Sequence, residues 1–158
     1  MGIFTKKNIY FLWCLLLISP ADGHITVTEA WVRVGPTNAK TMAAYATIMN
    51  HSSVSTELKR ITAEGFGEAQ IHKTTMKGSI AMMEKFNSLT LLKNQTLELK
   101  PGSWHIMLMN PEVVPQQGET VGFHFFFKSE DKIKEISVQA TVLKIKIKSD
   151  ELNMEPNH

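Results

Sequence analysis

The sequence predicts an all-β protein folded as a small antiparallel β-sandwich. Short runs rich in Val, Ile, Thr and Phe alternate with clusters of Gly, Pro, Asn and Ser, which is the pattern of strands joined by turns. No apolar repeat of helical period extends beyond about two turns. About 135 residues follow an N-terminal leader, the usual size of one domain. Many short strands in one domain favour a sandwich or barrel over an α/β fold.

The leader has the layout of a secretory signal peptide. Two lysines come first, residues 9–18 are apolar, and residues 19–23 include the small residues Ser, Ala and Gly. The apolar run is shorter than the roughly 20 residues that span a bilayer. We expect cleavage after Gly23, which makes His24 the first residue of the exported protein. Cleavage after Ala21 is the competing expectation.

The single cysteine, Cys14, lies inside this leader. It follows Trp13 in the middle of the apolar run, whereas a lipid-modified cysteine follows small residues at the end of such a run, so we expect no lipid anchor. A mature chain without cysteine excludes disulfides, zinc–thiolate sites and thiol nucleophiles. Loss of Lys6, Lys7 and Asp22 changes the formal net charge from +2 to +1, which indicates neither nucleic acid nor an anionic membrane surface as a partner.

Nine strands are predicted in a domain that spans residues 24–147. The first three segments are rich in β-branched residues and alanine, and the segments between them contain Gly, Pro, Asn and Ser, which mark turns. The polar tail at residues 148–158 is expected to fray. The predicted strands are residues 25–34, 42–50, 57–63, 69–76, 79–86, 96–99, 104–109, 120–127 and 133–147.

A hairpin is predicted around Lys77 and Gly78, between the fourth and fifth strands. If these two residues form the loop, the numbers of opposed residues add to 155, and His72 lies opposite Met83. Opposed β carbons are about 4.5–5.5 Å apart, so one metal ion can bridge the imidazole and the thioether. A three-residue loop shifts the sum to 156 and puts His72 opposite Glu84. Lys-Gly is a tolerable two-residue turn, although Asn-Gly and Asp-Gly are preferred.

The seventh strand carries a second histidine and methionine pair. Residues two apart on a strand share a face, so His105 and Met107 project together while Trp104, Ile106 and Leu108 face the other way. The eighth strand alternates in the same manner. One face is expected to hold Val121, Phe123, Phe125 and Phe127, and the other Gly122, His124 and Phe126.

Soft-metal ligands are the chemistry that this pattern favours. Thioether sulfur and imidazole nitrogen suit Cu(I), whereas Mg²⁺, Ca²⁺ and Mn²⁺ prefer hard oxygen ligands. Two neutral imidazoles and two thioethers leave bound Cu(I) with a net charge of +1, and d¹⁰ Cu(I) has little geometric preference, so exchange with a partner is easy. Blue-copper electron transfer needs a thiolate that the mature chain lacks. The candidate Cu(I) ligands are His72, Met83, His105 and Met107, with Met82 or Met76 as substitutes for Met83.

Other histidines, methionines and aromatic residues have simpler interpretations. A methionine in a strand usually fills a core, and a strand histidine beside phenylalanines more often makes a hydrogen bond than binds a metal. Tryptophans next to such a site pack or shield it. We therefore expect packing, surface or structural roles for Met42, Met49, Met82, His51, His124, Trp31 and Trp104.

The spacing of the four candidate ligands resembles that of a known family, the periplasmic copper(I) chaperones of the PCu(A)C type. Its signature is a histidine, a methionine eleven positions later, a histidine twenty-two positions after that and a methionine two further on, and all four residues fit. Many members carry another methionine where this chain has Thr74, which puts an auxiliary ligand in doubt. Similar stretches are also present at residues 29–33, 43–45, 50–51 and 99–109.

The resemblance implies a fold and a function. The family fold is a cupredoxin-like Greek-key antiparallel β-sandwich. Members are thought to carry Cu(I) to the dinuclear copper site of cytochrome c oxidase subunit II, often together with thioredoxin-like Sco proteins. We accordingly expect a monomer that binds Cu(I), with no stable membrane insertion and no nucleic-acid partner. Fold likeness to blue-copper proteins does not transfer their function.

Two other classes of function remain open. A mature N-terminal His24 can chelate Cu(II) through its amine and imidazole, as in secreted copper oxygenases, but the sequence offers it no clear second histidine. Alternatively, the chain is a metal-free secreted binding module, although its aromatics fall mostly at alternating core positions. Met154 and His158 are candidates for a loose Cu(I) or Cu(II) contact.

No catalytic constellation is recognisable in the chain. There is no Ser-His-Asp spacing, no phosphate-binding glycine loop and no Glu-flanked zinc pair. The sequence therefore predicts a carrier and not an enzyme.

Overall fold

The computed structural model describes residues 24–144, and this part of the chain is all-β. The predicted fold class is confirmed, and all nine predicted strands are present, although the predicted end of the last strand, the leader and the C-terminal tail lie outside the described residues. Between residues 24 and 144, no helix is long and apolar enough to cross a membrane.

A short strand that was not predicted, β6, also forms. The strands are β1 Ile25–Arg33, β2 Thr41–Asn50, β3 Thr56–Ala63, β4 Phe66–Lys77, β5 Ile80–Phe86, β6 Leu89–Leu91, β7 Thr96–Leu99, β8 Trp104–Pro111, β9 Thr120–Ser129 and β10 Lys132–Leu143.

The strands form one continuous sheet that curls back on itself. Their order is β5-β4-β8-β2-β1-β10-β9-β3-β6, with β7 paired to β2. A further pairing of β4 with β3 connects this order near its two ends. Neighbours in space are often distant in sequence, as in Greek-key folds. All pairings are antiparallel except that of β1 with β10, where Trp31 aligns with Thr141. This order places β5, β4, β8 and β2 side by side.

The core lies inside the curled sheet and confirms the alternation predicted for β9. Phe123, Phe125 and Phe127 are almost completely buried, and their rings follow one another at centroid distances of 6.1 and 6.4 Å. Ile106 and Leu108 of β8 are buried in the same core. Because alternate residues of a strand point to opposite faces, β8 must present His105 and Met107 on the outer face.

A buried asparagine fixes the end of β2. Asn50 is fully buried, and its amide donates to the carbonyl oxygens of Val54 at 2.9 Å and Leu91 at 3.3 Å. Its side-chain oxygen accepts from the backbone N–H of Ser52 at 3.1 Å and from the hydroxyl at 2.6 Å. Buried polar groups require such partners. The backbone on either side of His51 is therefore held in place.

The turn of the β4–β5 hairpin differs from its prediction. The predicted loop was Lys77 and Gly78, but Lys77 pairs with Ile80, and the two turn residues are Gly78 and Ser79. Gly78 has φ +64°, while Ser79 keeps a negative φ. A hairpin turn with positive φ at its first central residue favours glycine there, whereas a lysine in that position would be strained.

This turn changes the register between β4 and β5. The numbers of opposed residues add to 157, so the predicted sums of 155 and 156 are both wrong. His72 lies opposite Lys85, and Met83 lies opposite Thr74. A shift of two residues preserves the face of every side chain, whereas a shift of one reverses it. Met83 therefore stays on the same face as His72, but it lies opposite Thr74, two residues closer to the turn.

Candidate metal centre

The two predicted histidine ligands lie directly opposite each other on neighbouring strands. His72 of β4 aligns with His105 of β8, and their ring centroids are 5.8 Å apart with an angle of 44° between the planes. His105 is buried, and His72 is half-buried. A pair of imidazoles at this separation on one face can converge on a single ion after small side-chain rotations.

The two predicted methionine ligands flank this pair diagonally. Met107 of β8 aligns with Gln70 of β4, two residues before His72, and Met83 aligns with Thr74, two residues after it. Diagonal neighbours on a sheet are about 7–8 Å apart, within reach of long side chains. Met107 is half-buried, whereas Met83 is 54% exposed. All four predicted ligands therefore lie on one face of the sheet.

A shallow cavity of about 290 Å³ opens on this face. Met83, His105 and Met107 line it, and Tyr45 and Thr74 form part of its wall, while His72 lies beside it against the His105 ring. A larger cavity of about 510 Å³ has no His, Met or Cys in its lining. The soft donors are thus gathered at the smaller cavity.

The ring of His105 is oriented by the backbone. Its Nδ1 lies 3.1 Å from the carbonyl oxygen of Ser103. A carbonyl can only accept, so Nδ1 carries the hydrogen and Nε2 keeps its lone pair. This arrangement, in which one ring nitrogen is held by an acceptor and the other is free to bind, is typical of metal-ligating histidines.

The ring of His72 is oriented by a chain of polar side chains. Its Nε2 lies 2.9 Å from Oε1 of Gln70, whose amide group donates to Glu68 at 2.5 Å. Glu68 also forms an ion pair with Lys85 at 3.5 Å. With Nε2–H donating to Gln70, the Nδ1 atom of His72 keeps its lone pair. In the part of the chain that the structure describes, Nδ1 is the one buried side-chain nitrogen or oxygen without a hydrogen-bond partner.

Electrostatics keep His72 neutral. Burial lowers the pKa of His72 below its ordinary value. Repulsion by His105 when that ring is protonated, and by the positive charge of Lys85, acts in the same direction, against a smaller opposing effect of Glu68. A neutral imidazole is the form that binds a metal, because protonation removes the lone pair. The orphaned Nδ1, the oriented His105 and the two thioethers fit a soft monovalent ion such as Cu(I).

The sequence analysis did not predict the hydrogen-bond partners that orient His72 and His105. Gln70 lies two positions before His72 on β4, so the period of two along a strand would have placed both side chains on the same face. Ser103 precedes β8 and acts through its backbone carbonyl, so side-chain alternation gives no signal for it. Tyr45 comes from β2 and packs against Trp31 at 4.5 Å. Its position beside the cavity depends on the alignment of β2 with β8, which no local signal indicates.

Four other singled-out residues have the structural roles expected of them. Met42 is buried, Met82 is 51% exposed on the face opposite Met83, and Trp104 packs on Phe86 at 4.6 Å on the opposite side of the sheet from His105. His124 lies 2.7 Å from Glu135. Met154 and His158 lie outside the described residues.

One expectation about histidines is wrong. The sequence offered His24 no histidine partner, but the ring of His51 stacks on it at 4.5 Å, with 17° between the planes. β1 and β2 are antiparallel, and Ile25 aligns with Asn50, so the residues just outside this pair face each other. This pairing depends on the register of two strands, which spacing along the chain does not reveal.

Comparison with known proteins gives a family match across most of the chain. The family model described as "Putative lipoprotein LpqE-like" matches residues 25–142. An uncharacterized protein of Rickettsia prowazekii is 31% identical over 114 residues, which are 68% of this chain and 62% of that protein. The chain spans about three fifths of the length of the curated relatives it matches.

Solved structures with the same fold are also found. The solution structure of apo-DR1885 from Deinococcus radiodurans is 28% identical, with a TM-score of 0.56, and the match covers 92% of this chain and 98% of that one. A copper-bound PCuAC domain from PmoF2 has a TM-score of 0.64 at 16% identity, with 77% of this chain and 93% of that domain covered. At this identity, the second likeness concerns the fold alone.

Proposed function

The chain belongs to the LpqE-like family, which is the PCuAC family, and from that premise we propose that it is a copper(I) carrier of the cell envelope. PCuAC domains are copper-binding domains of the chaperone type. The observation that supports the proposal most strongly is the opposed pair His72 and His105. Each ring has one nitrogen engaged by an acceptor and a lone pair on the other, and the two thioethers of the predicted set flank them.

The proposed ligands are His72, Met83, His105 and Met107, and the proposed ion is Cu(I). The set contains no charged donor, so it matches a soft monovalent ion better than a hard divalent one. Three of the four side chains are at least half-buried, and Met83 is exposed on the hairpin. An exposed thioether can be displaced by a ligand of a partner protein, which is the property that a carrier needs.

We further propose that the carrier works in the periplasm. The basic and apolar leader supports export, and the lipoprotein name of the matched family agrees with a place in the cell envelope. Cleavage after Gly23 would release a copper-binding domain at residues 24–147 followed by a polar tail at residues 148–158. The proposed recipient is the dinuclear copper site of cytochrome c oxidase subunit II, with a Sco-type protein as collaborator. Transfer of an ion between ligand sets requires no catalytic constellation, so the proposal describes a carrier and not an enzyme.

The deciding experiment is an anaerobic Cu(I) titration against a chromogenic competitor. We expect one tightly bound Cu(I) per wild-type chain and a clear loss of affinity in Met83→Ala and Met107→Ala. Met82→Ala is the matched control, because Met82 is about as exposed as Met83 but lies on the opposite face of the same strand. Equal affinity in all four proteins would contradict the proposed site, and a metal-free binding module would then be the better interpretation. Transfer to an isolated oxidase subunit II tests the recipient separately.

A further inference from the structure

A second pair of histidines lies at another place on the sheet, where β1 begins and β2 ends. The backbone N–H of His51 donates to the carbonyl oxygen of His24 at 2.9 Å, so the two residues are held opposite each other. Their rings stack with centroids 4.5 Å apart and 17° between the planes. His24 is exposed, and His51 is half-buried. Neither residue belongs to the copper(I) site proposed above.

One ring nitrogen of His51 is held by a hydrogen bond, which leaves the other available to a metal ion. Its Nε2 lies 3.0 Å from the hydroxyl oxygen of Thr26. In the tautomer in which Nε2–H donates to that oxygen, Nδ1 keeps its lone pair, as a metal-ligating histidine with an outer hydrogen bond does. The adjacent Asn50 is fully buried and bonded on both sides of its amide, so the position of His51 is rigid. The ring of His24 is exposed, so it can leave the stack by rotation about its side-chain bonds.

We propose that His24 and His51 form a second metal site, which takes Cu(II) once residues 1–23 have been removed. Hydrolysis of the bond between Gly23 and His24 consumes one water, leaves a carboxylate on Gly23 and gives His24 a free amino group. That amine and the Nδ1 atom of His24 can close a six-membered chelate ring on one ion, and Nδ1 of His51 supplies the third nitrogen. The His24 ring has to rotate out of the stack to do so.

The donor set decides which ion is favoured. Amine and imidazole nitrogens suit Cu(II) in tetragonal geometry, and among divalent first-row ions Cu²⁺ binds such sites most strongly. The site contains no thioether, which distinguishes it from the Cu(I) ligand set. It does not depend on the proposed carrier function, because the two sites share no residue.

The test uses the exported, processed protein in which both His72 and His105 are replaced by alanine, so that the proposed Cu(I) site cannot contribute. Intact mass first establishes that the chain begins at His24. Titration with Cu(II) is then followed by electron paramagnetic resonance. We expect one Cu(II) with nitrogen couplings. Loss of an outer-shell partner alone costs about 10–100-fold in metal affinity, so we expect H24Q and H51Q to weaken binding at least as much.

Two matched variants test whether Cu(II) binding depends on this histidine pair and on the terminal amine. H124Q also removes a histidine, but His124 is bonded to Glu135 on another part of the sheet, so binding should be unchanged. A chain with one extra glycine before His24 keeps both imidazoles and moves the amine away, so binding should weaken and the spectrum should change. A mature chain that begins at another residue, or Cu(II) binding unaffected by H24Q or H51Q, would overturn the inference.

Discussion

At the scale of single residues, the most informative atom is Nδ1 of His72. It is buried and has no hydrogen-bond partner among residues 24–144. A buried unsatisfied polar group costs about 1–3 kcal/mol, and folded proteins rarely keep one without a reason. A metal ion would satisfy this atom, and the same ion would bind the lone pair that Ser103 leaves on His105. The free energy lost by leaving Nδ1 unpaired in the metal-free protein is then recovered when the ion binds.

The lowered pKa of His72 leads to a prediction about acidity. Because burial lowers the pKa, the folded protein takes up this proton at a lower pH than the unfolded chain, whose histidines titrate near about 6.5. Between the two pKa values the unfolded chain binds more protons, so the free energy of unfolding falls as the pH falls through this window. Above the window His72 is neutral in both states, and its contribution is constant.

This prediction is checked by nuclear magnetic resonance. The ring of His72 in the copper-free protein should titrate with a midpoint below about 6.5, and protonation of this ring at lower pH should weaken Cu(I) binding. His72→Ala identifies the resonance. A midpoint at or above the ordinary histidine value would show that the ring is more solvated than its position between β8 and β5 indicates.

At the scale of elements, the β4–β5 hairpin controls the position of Met83. β5 lies at the edge of the sheet and is paired only with β4 in the described chain. Its outer edge is therefore open, and the neighbouring charges of Glu84 and Lys85 discourage pairing with other strands. The turn at Gly78 and Ser79 is the feature that aligns Met83 with Thr74. A change in the turn should therefore shift Met83 and weaken binding at the proposed metal site.

We predict that Gly78→Ala destabilises the protein and weakens Cu(I) binding. A β carbon at position 78 would meet no atom within 4 Å, so the expected cost comes only from the positive φ of +64°. A left-handed conformation costs a residue with a side chain about 1–2 kcal/mol. Urea unfolding and Cu(I) competition measure the two effects.

Gly78→Asn is the matched variant, because asparagine adopts positive φ more readily than alanine. It should lose less stability and less affinity. If Gly78→Ala leaves both quantities unchanged, the turn does not determine the position of Met83.

At the scale of the whole molecule, the fold provides a rigid platform with the proposed metal site on its outside. The pairing of β3 with β4 closes the path of strands around the phenylalanines of β9. His72 and His105 thus rest on strands whose inner faces are packed in the core. Sites built on rigid strands keep their geometry better than sites on loops.

We predict that Phe125→Ala lowers the free energy of unfolding by about 3–5 kcal/mol, the usual cost of truncating a buried phenylalanine. Phe125 is fully buried between Phe123 and Phe127. Phe126→Ala is the control, because Phe126 is half-buried on the other face under Arg60 at 4.0 Å and should cost less. Chemical denaturation compares the two, and equal losses would contradict the assignment of faces.

The sequence by itself determined the local features. Alternation with period two predicted the inner face of β9 and the common face of His105 and Met107, because the direction of a side chain in a strand depends only on its position in that strand. The donor types, imidazole and thioether, indicate a soft ion by their chemistry alone. Gly78 followed by Ser79 is also a turn signal, and the prediction of a Lys77 and Gly78 loop overlooked it.

Only the tertiary structure decided which strands meet and in what register. His72 faces His105 because β4 pairs with β8, and His24 stacks on His51 because β1 pairs with β2. These pairs are separated by 33 and 27 positions in the chain. Their approach depends on burial of the whole core and on the hydrogen bonds between strands, and no short segment contains that information.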